Sequence, residues 1–255
     1  MTTQHIFTIA LLLALAAYVV WTFTKRKQAV AGMGPAVRAF FERTGFRYAE
    51  MAQAPIEAHV ARAVQEGQTY TAGDRTIHYV RNFHGLSVHW VQSYEHHENK
   101  FTVSCQWSAP LQRQPRIPFH IADRSLDSMG KAVREAFSNT KRVWSPRHPH
   151  QVTTGNPQID GRFLVYGHDP QAVAWMLSQN PALIALLMQS VEVDLYVDAT
   201  SAVFVDPLQK NMNAAMGGMV GNMALGFDIA KRLDLSIPVH DRMSEIIAHA
   251  VRASA

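Results

Sequence analysis

The rhythm of apolar positions divides the chain. Ile6 to Phe23 runs 18 residues without a charge, and at about 1.5 Å per residue such a helix approaches the ~30 Å hydrocarbon thickness of a bilayer. The pattern predicts a transmembrane helix over 6–23, after a five-residue extracytoplasmic N-terminus (1–5). Tyr18 and Trp21, then Lys25, Arg26 and Lys27, follow in the order of an aromatic belt backed by cations. These five are the expected membrane-anchoring residues. The opening MTTQH carries no Lys or Arg, which argues for an uncleaved signal anchor over a cleaved signal peptide. With three cations after the run and none before it, the N-terminus is expected outside and the C-terminal domain cytoplasmic, in a single pass of the cell inner membrane.

Past a juxtamembrane linker (24–35) the period becomes helical. Val37, Phe40 and Phe41 against Arg38 and Arg43 predict a helix from Ala36 to Glu42, and a second follows from Pro55 to Glu66. The period then drops to two. Leu86, Val88 and Trp90, and Phe101, Val103, Cys105 and Trp107, alternate with polar neighbours, the mark of half-buried strands. With Thr76 to Phe83 before them and Ile117 to Ile121 after, they predict an antiparallel meander of about four strands. A helix from Ser125 to Phe137 closes this part.

The stretch 141–157 lacks periodicity and is rich in Pro, His and Arg, so it is read as a loop between two halves, 36–140 and 158–255. The second half opens with a strand, Arg162 to Tyr166. Asp169 then suits a helix cap with Pro170 in the first turn, and Pro181 opens a further apolar helix. Val191, Val193, Leu195 and Val197 alternate with Glu192, Asp194, Tyr196 and Asp198, which predicts a strand with Glu192 and Asp194 on its solvated face. Ala202 to Val205 is its expected hairpin partner. Met212 to Ala230 reads as a Gly/Met-rich helix, and Asp241 to Val251 as a final amphipathic one. The fold class is α+β: an N-terminal transmembrane helix, an antiparallel β-meander, and a strand-helix-hairpin layer with C-terminal helices.

Composition narrows the function. Apolar residues at 47% and charged residues at 17% exclude a disordered chain. A net charge of +4 falls short of a dedicated nucleic-acid binder, so no nucleic-acid partner is expected. The single cysteine, Cys105, excludes an internal disulfide framework and a Cys-rich zinc site. From Arg113 to Arg147 eight cations face three carboxylates, a local charge of +5 that suits a surface near anionic lipid.

The run GRFLVYGHDPQAVAWML, an apolar helix, then VEVDLYVD and SAVFVDP (about 161–207) resembles a recurrent module of bacterial single-span membrane-anchored proteins. The resemblance implies an anchored cytoplasmic α+β domain and transfers no catalytic residue.

Candidate chemistry is sparse. His148-Pro149-His150 and His96-His97 are the close histidine pairs among 13 histidines, but neither has the i, i+4 spacing of a helical zinc motif and no third ligand is placed. Ser128-Lys131 and Ser138-Lys141 have the Ser-x-x-Lys spacing of serine acyl-enzymes, without the companion motifs. No Gly-x-Ser-x-Gly, Walker loop or dinucleotide fingerprint occurs. No catalytic residue, cofactor or metal ligand is therefore assigned. Gly217, Gly218 and Gly221 form a small-residue stripe with Gly-x-x-x-Gly spacing, which predicts close helix packing or partner contact. The expected role is a non-enzymatic accessory or interaction subunit of a bacterial membrane protein assembly, contacting membrane lipids and an integral membrane protein or a second copy of itself. A tethered binder of lipid or another apolar ligand is the alternative, and a hydrolase the third reading.

Overall fold

The computed structural model describes residues 35–48, 75–97, 100–124, 148–207, 209–218 and 228–255, with 17, 18, 20, 21 and 24 ahead of them. Among these no helix is long and apolar enough to cross a membrane. The expected transmembrane helix is corrected accordingly: the fold shown is α+β around an antiparallel sheet, without such a span among the described residues. An apolar run of bilayer length states what a segment could fit, not the helix it forms. Of 6–23 the described residues are Ala17, Tyr18, Val20 and Trp21, all helical. Tyr18 and Trp21 are exposed, with ring centroids 6.2 Å apart. Lys25, Arg26 and Lys27 lie outside the described residues.

Helix α1 (35–44) buries Val37 and Phe40 and stops at Gly45, whose φ of 69° lets its N–H bond Phe41 O at 2.8 Å. Strands β1 (Arg47–Tyr48), β2 (Arg75–Phe83), β3 (Leu86–His97) and β4 (Lys100–Pro110) follow. The β2–β3 hairpin turns on His84 and Gly85, both at positive φ, the conformation of the tight turn that matches strand twist. Then come β5 (Phe119–Asp123), β6 (His150–Val152), α2 (Pro157–Arg162), β7 (Phe163–Gly167), α3 (Pro170–Ser178), α4 (Pro181–Gln189), β8 (Asp194–Val197), β9 (Ser201–Pro207), α5 (Lys210–Ala215) and α6 (Ile229–Ser254). Asp169 caps α3, accepting from Gln171 N and Ala172 N. The helices expected at Pro55–Glu66 and Ser125–Phe137 lie outside the described residues.

The nine strands form one sheet in the order β1-β2-β3-β4-β9-β8-β5-β7-β6, with every pairing antiparallel. The meander therefore ends at β4: its expected fourth strand lies three places away, displaced by the β8–β9 hairpin. Strands on both sides of 141–157 share this sheet, so that stretch does not separate two layers.

Register carries one row of side chains across almost the whole sheet. Tyr79, Trp90, Trp107, Phe204, Leu195, Ile121, Val165 and Val152 are successive cross-strand partners, and all are buried. Helix α6 lies over this row through Met243, Ile246, Ile247 and Ala250, each fully buried. It is longer than the expected Asp241–Val251 and continues through Pro238. The ring removes one intrahelical bond, but the flanking turns bury Ser236 and Val239. At the other end of the sheet α3 presses on Gly167, where a Cβ would stand 2.5 Å from Val173 Cγ2.

Candidate functional site

The helix-covered side holds most of the buried ionisable groups, and the fold uses them. Arg81 of β2, only 4% exposed, donates to Thr44 O at 3.1 Å, Asp241 Oδ1 at 2.7 Å and His240 O at 2.8 Å, and to Ser244 Oγ. It joins α1, the sheet and α6 at one point. Burial lowers its pKa, opposed by the bond and charge of Asp241. Beside it His240 is ringed by Phe40, Phe46, Trp90 and Trp107 at centroid distances of 4.2–5.6 Å. Burial, then the Arg81 charge, pushes its pKa down to about 3. The neutral ring accepts at Nδ1 from Trp107 Nε1 at 3.2 Å.

Two further clusters close the helix ends. Arg162 donates from Nη1 to Met188 O at 2.6 Å, from Nη2 to Ser190 O, and from Nε to Asp123 Oδ1 at 3.2 Å, so the carbonyls left open at the end of α4 are satisfied. Asp206, fully buried, accepts from Asn211 N at 3.1 Å and Met212 N at 3.3 Å at the start of α5. Burial raises its carboxyl to about 6, opposed by the Asn211 and Met212 hydrogen bonds and reinforced by the Glu192 charge. Glu192 itself is 2% exposed and pairs with Lys210. This corrects the solvated pair expected of Glu192 and Asp194: Glu192 precedes β8 in a bend and turns inward. Cys105 is also buried, its thiol pushed up to about 12 chiefly by desolvation, which leaves negligible thiolate for chemistry.

The opposite side of the sheet is built differently. Because side chains alternate along a strand, the row Val80, His89, Ser108, Val203, Tyr196, His120, Tyr166 and Gln151 points away from the helices. Val203 and His120 are buried, Gln151 is exposed, and the others are half-buried. Within this side His120 Nε2 meets Asp194 Oδ1 at 2.8 Å, with Tyr166, Tyr196 and His148 at ring-centroid distances of 6.1–6.3 Å. Burial raises the Tyr196 pKa, followed by the Asp198 and Asp194 charges. At the other end His78 Nε2 meets His89 Nδ1 at 2.8 Å, and Ser87 Oγ lies 3.3 Å from His89 Nε2. Both pairs have the same origin. His78 faces Val91 and His120 faces Tyr196, so each bonds the residue two positions before its direct partner, the diagonal neighbour within reach of a long side chain.

The residues singled out in the sequence fall mostly elsewhere. Gly217 and Gly218 have φ of 80° and 67° and follow the end of α5 at Ala215. Gly221 is outside the described residues, as are Ser128, Lys131, Ser138 and Lys141. His148 joins the His120 group, whereas His150 stands at the sheet edge beside His168, 6.4 Å between centroids. A groove of about 170 Å³ between α2 and the α3–α4 pair, lined by Ile159, Ala174, Leu177 and Ile184 among others, is smaller than an ordinary small-molecule site.

Comparison with known proteins adds little. No protein-family model and no curated protein matches the chain. A crystal structure of the mycobacterial trehalose monomycolate transport factor A is similar to it with a TM-score of 0.38 and 11% identity, over 80% of this chain and 94% of that one. A likeness of that size carries no statement about what this chain binds.

Proposed function

We propose that the chain is a non-enzymatic accessory subunit of a bacterial membrane protein assembly, acting through contact by the sheet side away from the helices. The observation that carries this reading is the contrast between the sides. On the helix-covered side, Arg81, Asp123, Arg162 and Asp206 each bind backbone groups of a neighbouring element. On the other, His78, His89, Ser108, Tyr166 and Tyr196 remain half-buried, a mixture of aromatic area and hydrogen-bonding groups typical of contact surfaces. Arg113, Arg116 and Arg124 are exposed and supply the positive charge that suits anionic lipid beside such an assembly.

Purification from a membrane extract in mild detergent tests the proposal. A stoichiometric partner is expected with the unaltered chain, and its loss with Tyr166→Ser combined with Tyr196→Ser. A clean monomer under the same conditions, or a partner indifferent to both substitutions, contradicts it.

A further inference from the structure

We propose that His78 Nε2 and His89 Nδ1 form a two-imidazole binding site for a late first-row divalent metal ion. The two nitrogens lie 2.8 Å apart. A hydrogen bond between imidazoles requires the lone pair of one ring to face the N–H of the other, so moving that proton to the other nitrogen of the donor ring leaves two neutral rings with both facing nitrogens free to bind one ion. A tetragonal copper(II) ion with bonds of about 2.0 Å to imidazole sets two cis nitrogens roughly 2.8 Å apart, the spacing of this pair, once the rings turn so that both lone pairs converge on the ion.

Two further observations favour the site. Ser87 Oγ stands 3.3 Å from His89 Nε2, the outer hydrogen bond that commonly orients a ligating histidine. Both rings are half-buried, held by the hairpin yet open to water for the remaining coordination positions. Among the described residues no group of three His, Cys, Asp or Glu could hold a metal, so the described residues supply two protein ligands. Imidazole nitrogen with water selects copper(II) ahead of nickel(II) and zinc(II). The site adds a binding chemistry to the accessory role and does not rest on it.

Titration of the purified chain with copper(II), nickel(II) and zinc(II) against a weak competing chelator tests the site. The expected result is one site whose affinity falls at least tenfold in His78→Gln and in His89→Gln, with a smaller loss in Ser87→Ala. Two bound nitrogens should appear in the copper spectrum of the unaltered chain. Urea unfolding of each variant checks that the fold is kept, and His150→Gln with His168→Gln, the exposed pair at the sheet edge, should bind as before. No binding by the unaltered chain, affinity unchanged in both single variants, or loss confined to the His150 and His168 variant overturns the proposal.

Discussion

His240 and His120 stand on opposite sides of one sheet and show what each side is for. His240 is fully buried among four aromatic rings and is held neutral, an acceptor for Trp107 and a spacer between α1, α6 and the sheet. His120 is 8% exposed and bonds a carboxylate, Asp194, whose side chain is 16% exposed. The residue type is the same, but the surroundings decide whether it can answer to solvent. The helix-covered side stores the fold's stability in groups that cannot move independently. The other side carries pairs whose removal should leave the fold intact.

Arg81 is where that contrast would break first. Arg81→Met leaves Thr44 O without its donor and the half-exposed Asp241 without its ion pair, while His240 O keeps the Ser244 hydroxyl, and leaving a buried polar group without its partner costs about 1–3 kcal/mol. Urea unfolding should show a loss of that size. A loss under 1 kcal/mol would mean that α1 and α6 are held by apolar contact alone. Gly167→Ala sets a Cβ against Val173 Cγ2, a side chain that is itself fully buried. Overpacking of this kind costs about 1–3 kcal/mol, read as a lower urea midpoint.

Titration sharpens the same comparison. The Asp206 carboxyl lies at about 6 in the folded chain, above its unfolded value near 4, so its contribution is complete below about pH 4 and is lost as pH rises through about 6. His240 has the opposite sign. Its folded value of about 3 lies below the unfolded value near 6.5, so its contribution is complete above about pH 6.5 and is lost as pH falls. Subtracting the stability of Asp206→Asn from that of the unaltered chain should give a difference that grows by on the order of 2 kcal/mol between pH 7 and pH 4. The corresponding difference for His240→Leu should shrink over the same range. A flat difference in either case would remove that group from the account. At the smallest end, His120→Gln and Tyr196→Phe on the other side should each change stability by no more than about 1 kcal/mol, measured by the same unfolding curves.

Much of the local structure was legible. Alternation marked β3, β4, β8 and β9, and Asp169 with Pro170 marked the start of α3, because side-chain period and capping are properties of neighbouring residues. Strand order was not legible. That β9 pairs β4 and β8 pairs β5 depends on partners more than ninety residues apart for β9 and more than seventy for β8, and nothing local in Ile117–Ile121 announces a strand three places removed from β4. Glu192 was misread because a strand pattern was extended into a bend, where burial beside Lys210 and Asp206 reverses its exposure. Gly217 and Gly218 follow the end of α5 at positive φ, a conformation that glycine spacing alone does not announce. The His78–His89 pair had a signal that went unused: the Phe83-His84-Gly85 turn fixes the hairpin register, and with it the diagonal that joins the two rings.

The central claim is that one side of the sheet holds the fold and the other makes contact. A single variant carrying His89→Ala, Tyr166→Ala and Tyr196→Ala tests it directly, with the urea midpoint and partner co-purification measured on the same preparation. The account predicts a cooperatively folded variant whose unfolding free energy falls by no more than about 1 kcal/mol per substitution, together with loss of the partner. An unfolded variant, or a folded one that keeps its partner, would contradict it.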